Sequence, residues 1–384
     1  MSRGSIVKRG ATYSVKLELD PDPMTGKRRQ KWHSGYRTKV EAERARTDLL
    51  SKLDQGTYVT PTMVTLGPFL EEWLDTICTT VRRNTADSYR RNLENHVIPR
   101  IGNVRLHAVD AGTLNRLYAD LHRDGRRDGK GGLSARTVGY IHTMLHRAFK
   151  DAVRWGRLAR NPADAADPPR ANGTERAEIT AWRSPTLRQF LDLAKLNGER
   201  WYAAWVVLAT TGARRGEVLG LRWSDVDLDA GRLSIRQSLT VVQHHPIFEA
   251  PKTAKGTRGI ALDPGTVEVL REWRRQQLEE RLLLGAGWID NGLVFTMATG
   301  ELVHPEAFSK VFDRRVAVWK LPHLTIHGLR HTWATLALEG GVHPRVVQER
   351  LGHSTIAVTL GTYSHVSPTL HDEAARAVAS SFLG

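Results

Sequence analysis

The sequence predicts three domains: a small α+β domain, an all-α domain and a mixed α/β domain that is mainly helical. The chain has 384 residues, more than one ordinary core organises. The spacing of apolar residues changes along the chain from a strand period to a helical period and then to a mixture of both. A proline-rich stretch at 161–170 breaks helix and predicts a linker. We therefore place the domains at residues 1–60, 62–168 and 174–384.

The first domain is predicted to be a hairpin followed by a helix. Val15, Leu17 and Leu19 alternate with charged residues, which is typical of a half-buried strand. Turn-forming residues at 21–26 predict that residues 27–33 return as its partner. A helix is expected over 40–53, ending before Gly56. Four basic side chains load the hairpin: Lys27, Arg28, Arg29 and Lys31. A basic sheet face can enter a DNA groove, and a solvated hairpin explains the same residues equally well.

Residues 62–168 are predicted to be all-helical. Five apolar residues repeat at helical spacing: Leu66, Phe69, Leu70, Trp73 and Leu74. Further helices are expected over 85–97, over 111–121 and from a Ser134 cap to about residue 155. The glycine-rich loop at 123–132 slightly resembles a phosphate-binding loop, but its glycines are one residue too close and no Ser or Thr follows Lys130. We expect no nucleotide site there.

The third domain mixes helices and strands. Helices are predicted over 187–196, 201–210 and 216–221. The alternation over 233–242 predicts one strand, with 258–262 as its partner. Helices resume at Pro264 and dominate to the end of the chain.

The charge of the chain favours a polyanionic partner. The formal net charge is +15, and residues 1–60 alone hold 13 Lys and Arg against 7 Asp and Glu. A basic excess of this kind binds phosphates with release of counterions, although a soluble basic protein has the same composition. The single cysteine, Cys78, excludes an internal disulfide framework and a cysteine-based zinc site, and it suits a reducing compartment. No apolar run could span a bilayer and no signal peptide is recognisable, so we expect a cytoplasmic protein with no membrane partner.

Two segments combine charged side chains with apolar helix. The first begins Thr211-Gly212-Ala213-Arg214, and the second begins with His327 and Arg330. Residues three apart share one face of a helix, and an imidazole beside a guanidinium suits the oxygens of a phosphate. In isolation such a pair is more simply an ordinary surface pair.

The segments are followed by Leu351-Gly352-His353 and Tyr363, and in this order they resemble the two signature boxes of the phage integrase family of tyrosine recombinases. The resemblance to the catalytic domain covers residues 175–370. Residues 62–168 resemble the helical core-site-binding domain of that family, and residues 1–58 resemble its arm-site-binding domain.

The resemblance implies a catalytic set and its chemistry. The set is Arg214, Lys252, His327, Arg330, His353 and the nucleophile Tyr363, which would form an O-(3′-phospho-DNA)-tyrosine. The arginines would stabilise the phosphorane-like transition state and the histidines would add hydrogen bonds. Lys252 would protonate the departing 5′ oxygen. Lys255 is the alternative acid, although the position of Lys252 after Pro251 favours Lys252. Cations then replace a metal, so we expect no metal and no cofactor.

The resemblance also implies partners. These are double-stranded DNA at attachment sites, three further protomers in a homotetramer on synapsed DNA, and an excisionase or a host DNA-bending protein in the nucleoid of a bacterial host. The tail at 367–383 is predicted to be a short helix, which would dock on a neighbouring protomer or on its own domain. Five neighbouring side chains are not expected to do chemistry: Arg215, Glu217, Asp225, His331 and His365. His331 and His365 are expected to pack or to face solvent. Glu217 and Asp225 are predicted to brace the helix and the turn after it.

Three other functions compete with this interpretation. A type IB topoisomerase shares the tyrosine, arginine and histidine chemistry, but it does not need the basic N-terminal domain. A catalytically silent DNA-binding protein is disfavoured by the complete catalytic set. A metal-dependent hydrolase is disfavoured because no His-Glu-x-x-His motif or carboxylate cluster occurs.

Overall fold

The computed structural model describes residues 4–21, 24–55, 58–59, 63–170, 180–251 and 256–352. The chain divides into two compact units, Met1–Thr174 and Glu175–Gly384. Several predicted features lie outside the described residues: Lys252, Lys255, His353, Tyr363, His365 and the tail at 367–383.

The N-terminal part is a three-stranded antiparallel sheet with one helix against it. Its elements are β1 (Gly4–Arg9), β2 (Thr12–Leu19), β3 (Arg29–Tyr36) and α1 (Lys39–Asp54), with strand order β1-β2-β3. Val15 and Leu17 of β2 are fully buried, and α1 contacts all three strands of the sheet. Thr38 and Glu41 form a capping box at the start of α1. The predicted hairpin and helix are present, and β1 adds a strand that the pattern did not delimit.

The second part of this unit is all-helical, as predicted. It comprises α2 (Leu66–Ile77), α3 (Arg83–Asn92), α4 (Ile98–Ile101), α5 (Ala111–Asp124) and α6 (Ala135–Arg154). The five predicted apolar residues of α2 are each at most 1% exposed. The indole N–H of Trp73 donates to Asp151 on α6 at 2.9 Å, so a polar contact also holds α2 against α6. Ser134 caps α6, as expected, by accepting from the Thr137 N–H.

Two predictions in this part need correction. The predicted single helix over 85–97 changes to a π-helical turn at Leu93–Val97 before α4 begins. Pro99 in α4 has no N–H to donate, so regular α-helical bonding cannot continue through it. The stretch at 161–170 is not wholly a linker, because Pro162–Ala165 forms a 3-10 turn whose first two residues are buried against the helical core. Proline ends a helix, but its ring is apolar and can still pack.

The second unit is a mixed α/β domain with mostly helical content. Its helices are α7 (Ser184–Leu196), α8 (Tyr202–Thr211), α9 (Arg215–Leu219), α10 (Pro264–Leu284), α11 (Pro305–Val318), α12 (Gly328–Glu339) and α13 (Pro344–Leu351). Its strands are β4 (Val226–Asp227), β5 (Arg232–Ile235), β6 (Ser238–Val242), β7 (His245–Glu249) and β8 (Arg258–Ala261). Among the described helices of both units, none combines the length and the apolar character needed to cross a bilayer.

The predicted strand over 233–242 is wrong, because two strands occupy it. β5 pairs with β4 and β8, whereas β6 pairs with β7 in a separate hairpin whose turn residues, Gln243 and His244, have positive φ. Leu233, Ile235 and Leu239 are all buried in one core, so the apolar alternation continues across the change of partner. The apolar alternation therefore does not show where β5 ends and β6 begins. The predicted partner strand at 258–262 does pair with β5.

Helix α8 lies at the centre of this core. It is apolar on every side, and seven consecutive residues from Ala203 to Ala209 are buried. Its own Trp205 lies in an aromatic cluster with four side chains from other segments: Trp182, Phe190, Phe312 and Trp319. A helix buried on all sides has little freedom to shift, so the segment that follows Thr211 starts from a fixed position.

Replacing Phe190 by Ala should destabilise the second unit by about 3–5 kcal/mol, because the ring is fully buried in the aromatic cluster. The matched control is Leu196→Ala on the same helix, where the side chain is 83% exposed and the cost should be within about 0.5 kcal/mol. Urea unfolding followed by tryptophan fluorescence measures both. Equal losses of stability in the two variants would contradict the assignment of this core.

Candidate active site

The Thr211-Gly212-Ala213-Arg214 segment turns the chain sharply at the end of α8. Gly212 has φ of 66°, the left-handed region that glycine adopts without strain. A Cβ on Gly212 would lie 2.7 Å from the Trp333 ring and 2.9 Å from Leu351 Cδ2. Glycine is therefore required both for the backbone conformation and for the close approach of α12 and α13.

Arg214 stands at the start of α9 with its guanidinium partly exposed. Its Nη1 donates to Glu217 Oε1 at 2.8 Å, and its backbone N–H donates to Glu217 Oε2 at 2.8 Å. The side chain is 43% exposed. Glu217 thus fixes Arg214 at both ends, and the cation remains accessible to an anion from solvent.

Arg330 is buried and connects two helix ends. Only 4% of its surface is exposed. Its Nη1 donates to the Gly212 carbonyl oxygen at 2.8 Å, and its Nη2 donates to the Leu351 carbonyl oxygen at 2.7 Å. One guanidinium therefore joins the first signature segment to the Leu351-Gly352 segment. Sequence reasoning gave Arg330 a phosphate-binding role only, and the two backbone acceptors had no signal in the sequence.

His327 immediately precedes α12 and lies against His331. The two ring centroids are 5.1 Å apart and the planes are nearly perpendicular. Desolvation lowers the pKa of His327, and the positive charges of His331, Arg330, Arg214 and Arg215 lower it further, to about 4. The pKa of His331 is also lowered, by burial and by Arg330. His327 is thus neutral near pH 7 and can accept a proton or a hydrogen bond.

Glu217 is a buried carboxylate with two arginine partners. Besides Arg214, it accepts from Arg258 Nη2 at 2.9 Å and from Arg258 Nη1 at 3.1 Å. Burial alone would raise the pKa of Glu217, but the hydrogen bonds and charge of Arg258, with those of Arg214, lower it to about 2. The predicted bracing role of Glu217 agrees with these contacts.

The other neighbouring side chains also act in the framework. Asp225 accepts from Arg222 Nε at 2.8 Å and braces the 3-10 turn Trp223–Asp225, as predicted. Arg215 donates to Ser309 Oγ at 2.6 Å, so it is directed towards α11 rather than beside Arg214. His331 was expected to pack or face solvent, and it packs against His327.

Two arginines of the site framework were missed by sequence reasoning. Arg258 on β8 donates through Nε to the Arg350 carbonyl oxygen at 2.6 Å. Arg350 donates to the carbonyl oxygens of Thr210 and Ala261 and lies over the Trp333 ring at 5.2 Å. An arginine in a strand or at a helix end usually faces solvent, so the sequence gives no reason to expect these hydrogen bonds at either position. Within the described residues, no three His, Cys, Asp or Glu side chains converge to hold a metal ion.

The structure thus brings three of the six predicted catalytic residues into one framework: Arg214, His327 and Arg330. The other three, Lys252, His353 and Tyr363, lie outside the described residues. Pro251, Gly256 and Gly352, which flank the segments that hold Lys252 and His353, are described.

Gly212→Ala should cost markedly more stability than the same change at Gly198. Both glycines have a positive φ, so each substitution carries about 1–2 kcal/mol of backbone strain. A Cβ at Gly198 meets nothing within 4 Å, whereas one at Gly212 collides with Trp333 and Leu351, adding about 1–3 kcal/mol. Urea unfolding of the two variants tests this, and equal destabilisation would show that the collision is relieved at no cost.

Glu217→Gln should lower stability by about 3–5 kcal/mol at neutral pH, because it leaves the buried Arg258 without its ionic partner. The pKa of Glu217 is lowered to about 2 from 4.5. Its stabilisation is therefore complete above pH 4.5 and is lost as pH falls towards 2. The difference in stability between wild type and variant should narrow over that window in urea unfolding.

Glu349→Gln is the control, since Glu349 forms an exposed pair with Arg345 that is worth at most about 1 kcal/mol. A difference between wild type and Glu217→Gln that stays constant from pH 5 to pH 2 would count against the buried ion pair.

Family models match three successive parts of the chain. The Phage integrase family model matches residues 183–369. An Arm DNA-binding domain matches residues 5–53, and the N-terminal SAM-like domain of phage integrases matches residues 65–121.

Relatives align over most of the chain. A tyrosine recombinase XerC-like protein of Caldanaerobacter subterraneus subsp. tengcongensis is 27% identical over 380 residues, covering 94% of each chain. The tyrosine recombinase XerC of Azotobacter vinelandii is 30% identical over 292 residues, covering 74% of this chain and 86% of that protein.

Solved integrases share the fold. The Tn1549 transposon integrase, in complex with a circular intermediate DNA, superposes with a TM-score of 0.63 at 21% identity, covering 78% of this chain and 95% of that one. A lambda integrase dimer bound to a COC′ core site gives 0.58 at 17% identity, covering 93% and 94%. The predicted fold class and the family resemblance are confirmed, and this chain belongs to the phage integrase family of tyrosine recombinases.

Proposed function

We propose that this chain is a site-specific integrase that cuts and rejoins double-stranded DNA at attachment sites to integrate or excise a mobile element. The observation that carries the proposal is the guanidinium of Arg330, which is bonded to both Gly212 and Leu351. Through these bonds the parts of the chain that hold Arg214, His327 and Leu351, two residues before His353, share one framework. Relatives include an integrase of the ICEBs1 element of Bacillus subtilis and an integrase of Mycobacterium phage L5, which supports action on a mobile element.

The proposed cleavage step is a transesterification. The Tyr363 oxygen attacks the phosphorus, a bond forms between them, and the bond from phosphorus to the 5′ oxygen breaks. The phenol proton passes to His327, which is neutral at pH 7 and therefore has a ring nitrogen lone pair to accept it. A pKa of about 4 makes a weak base, and the negative charge of the bound phosphate raises that pKa towards the range that suits proton transfer. Lys252 donates a proton to the departing 5′ oxygen. The 3′-phosphotyrosine keeps the energy of the broken ester, so the reverse attack by a 5′ hydroxyl rejoins the strand without ATP.

The two arginines would stabilise the charge that develops on the nonbridging oxygens. Arg214 offers a partly exposed guanidinium that Glu217 holds in place. Arg330 has five N–H donors in a rigid fork, and its bonds to two carbonyl oxygens orient that fork. Donors that are fixed before the reaction need no reorganisation when charge develops, which is the basis of electrostatic catalysis. His353 would add a further hydrogen bond.

The domain roles follow from the order of the three family matches. We assign residues 1–60 to arm-site DNA, residues 62–168 to core-site DNA, and residues 174–384 to catalysis with a tail helix. The arm assignment favours a recombinase over a type IB topoisomerase, which has no need of a second DNA site. A lambda integrase tetramer is known bound to a Holliday junction, and we propose that this chain likewise acts as a homotetramer on synapsed DNA. An excisionase or a host DNA-bending protein would set the direction.

Tyr363→Phe should abolish covalent complex formation while DNA binding is kept, because the change removes one oxygen and little volume. The measurement is a denaturing gel with a nicked suicide substrate, in which the covalent protein–DNA band should be absent. Tyr202→Phe is the matched control, since Tyr202 opens α8 and packs beside the core rather than at the site. A covalent band that persists in Tyr363→Phe would eliminate Tyr363 as the nucleophile.

Replacing Arg28 and Arg29 by Ala should weaken binding to arm DNA and leave core-site cleavage unchanged. Both side chains are exposed on the approach to β3 and at its start. If both neutralise phosphates, the slope of log affinity against log salt should become shallower by about 0.9 for each arginine removed. The control removes the same two charges from α1, as Lys39→Ala with Arg44→Ala. Footprinting on attachment DNA compares them, and identical protection by both double variants would contradict an arm-reading hairpin.

A further inference from the structure

Arg258 is a buried arginine outside the proposed catalytic set, and it contacts several segments that carry that set. Its side chain is 7% exposed. It belongs to β8, which begins two residues after Gly256 and so closely follows the segment that holds Lys252 and Lys255.

Three hydrogen-bonding partners of Arg258 belong to different parts of the site. Its Nη1 and Nη2 donate to Glu217, the carboxylate that fixes Arg214. Its Nη1 also donates to the Gly256 carbonyl oxygen at 3.2 Å. Its Nε donates to the Arg350 carbonyl oxygen at 2.6 Å, next to the Leu351 carbonyl that Arg330 binds.

Gly352 makes room for the same guanidinium. A Cβ on Gly352 would lie 3.1 Å from Arg258 Nη1, and Gly352 has φ of 68°. The middle residue of the Leu351-Gly352-His353 box is therefore in close contact with Arg258. The need for glycine there has two physical causes, a left-handed backbone and the approach of an arginine.

The contact with Gly256 fixes one end of the segment at 252–255. A Cβ on Gly256 would lie 2.5 Å from Pro251 Cβ, so the residues on either side of that segment touch each other. Arg258 thus holds the base of the segment that carries the proposed general acid. The same side chain is bonded to the carboxylate that holds Arg214.

We propose that Arg258 is a positioning residue that sets the base of the lysine segment against Arg214 and the Gly352 turn, so that the lysine reaches the departing 5′ oxygen. This inference rests on the proposed function. Lysine could not replace Arg258, because a single ammonium nitrogen cannot bond Glu217, Gly256 and Arg350 along three separate edges of a planar fork. Misplacement of a reacting group by about 1 Å can slow a reaction about a hundredfold.

The test compares Arg258→Lys with Arg200→Lys in the full-length protein. Arg200 has the same kind of environment: it forms a two-pronged ion pair with Glu280 and donates to the Thr296 carbonyl oxygen, away from the site. Gel shift at saturating protein establishes DNA binding, and circular dichroism establishes folding. Single-turnover cleavage of a suicide substrate should be slowed about a hundredfold by Arg258→Lys and left unchanged by Arg200→Lys.

A second substrate separates positioning of the acid from general damage. In a 5′-bridging phosphorothiolate, sulfur replaces the departing oxygen, and a thiolate leaves without a proton because the pKa of a thiol is only about 8.5. If the acid is misplaced, most of the roughly hundredfold loss of rate in Arg258→Lys should be regained on the sulfur substrate, which does not need the acid. Lys252→Ala and Lys255→Ala show which lysine responds in the same way.

Each outcome decides the matter. A large loss of rate on oxygen with relief on sulfur supports the positioning role. Cleavage by Arg258→Lys at the rate of Arg200→Lys overturns it, and so does an equal loss of rate on both substrates, which would indicate a purely structural role. If wild-type protein forms no covalent complex with either substrate, the proposed function itself fails and the inference fails with it.

Discussion

The buried guanidinium of Arg330 is the interaction on which the site framework depends. A cation that is 4% exposed is unfavourable unless it is paired, and its partners here are the carbonyl oxygens at the C-terminal ends of α8 and α13. Those ends carry partial negative charge and carbonyls without helical donors. The cation and the two helix ends therefore satisfy each other. Removing the guanidinium would take its two hydrogen bonds away from these helix ends. Because Arg330 belongs to α12, the same bonds hold α8, α12 and α13 in one arrangement.

Charge within the site is unbalanced towards the positive. Arg214 and Arg258 share one buried carboxylate, Glu217, and Arg330 adds a third cation close by. Burial is the main cause of the lowered pKa of His327, about 4, and the charges of Arg330 and Arg214 lower it further because another positive charge would be repelled. An anion that enters the cluster reduces the repulsion among these positive charges. A backbone phosphate would supply the missing charge, which makes the site complementary to its substrate before binding.

Sequence reasoning reached the three-part architecture and the stripe of α2, because apolar spacing reports burial directly. It also brought Arg214, His327 and Arg330 into one candidate site, since their order matches a known motif. It could not find the change of pairing between β5 and β6, because both strands bury residues in the same core. Nor could it find Arg258, since a buried arginine and an exposed one look the same in a strand. Hydrogen bonds between residues far apart in the chain produce no periodic pattern in the sequence.

The complete burial of α8 has a consequence for how this fold can vary in length. Each residue added to a helix turns its end by about 100° and advances it by about 1.5 Å. A surface helix can absorb such a change by sliding, but α8 has neighbours on every side. An insertion or deletion between Trp205 and Gly212 would rotate the carbonyl of Gly212 away from Arg330. The length of α8 therefore sets where Gly212 lies, and the number of residues in the helix is as constrained as their identity.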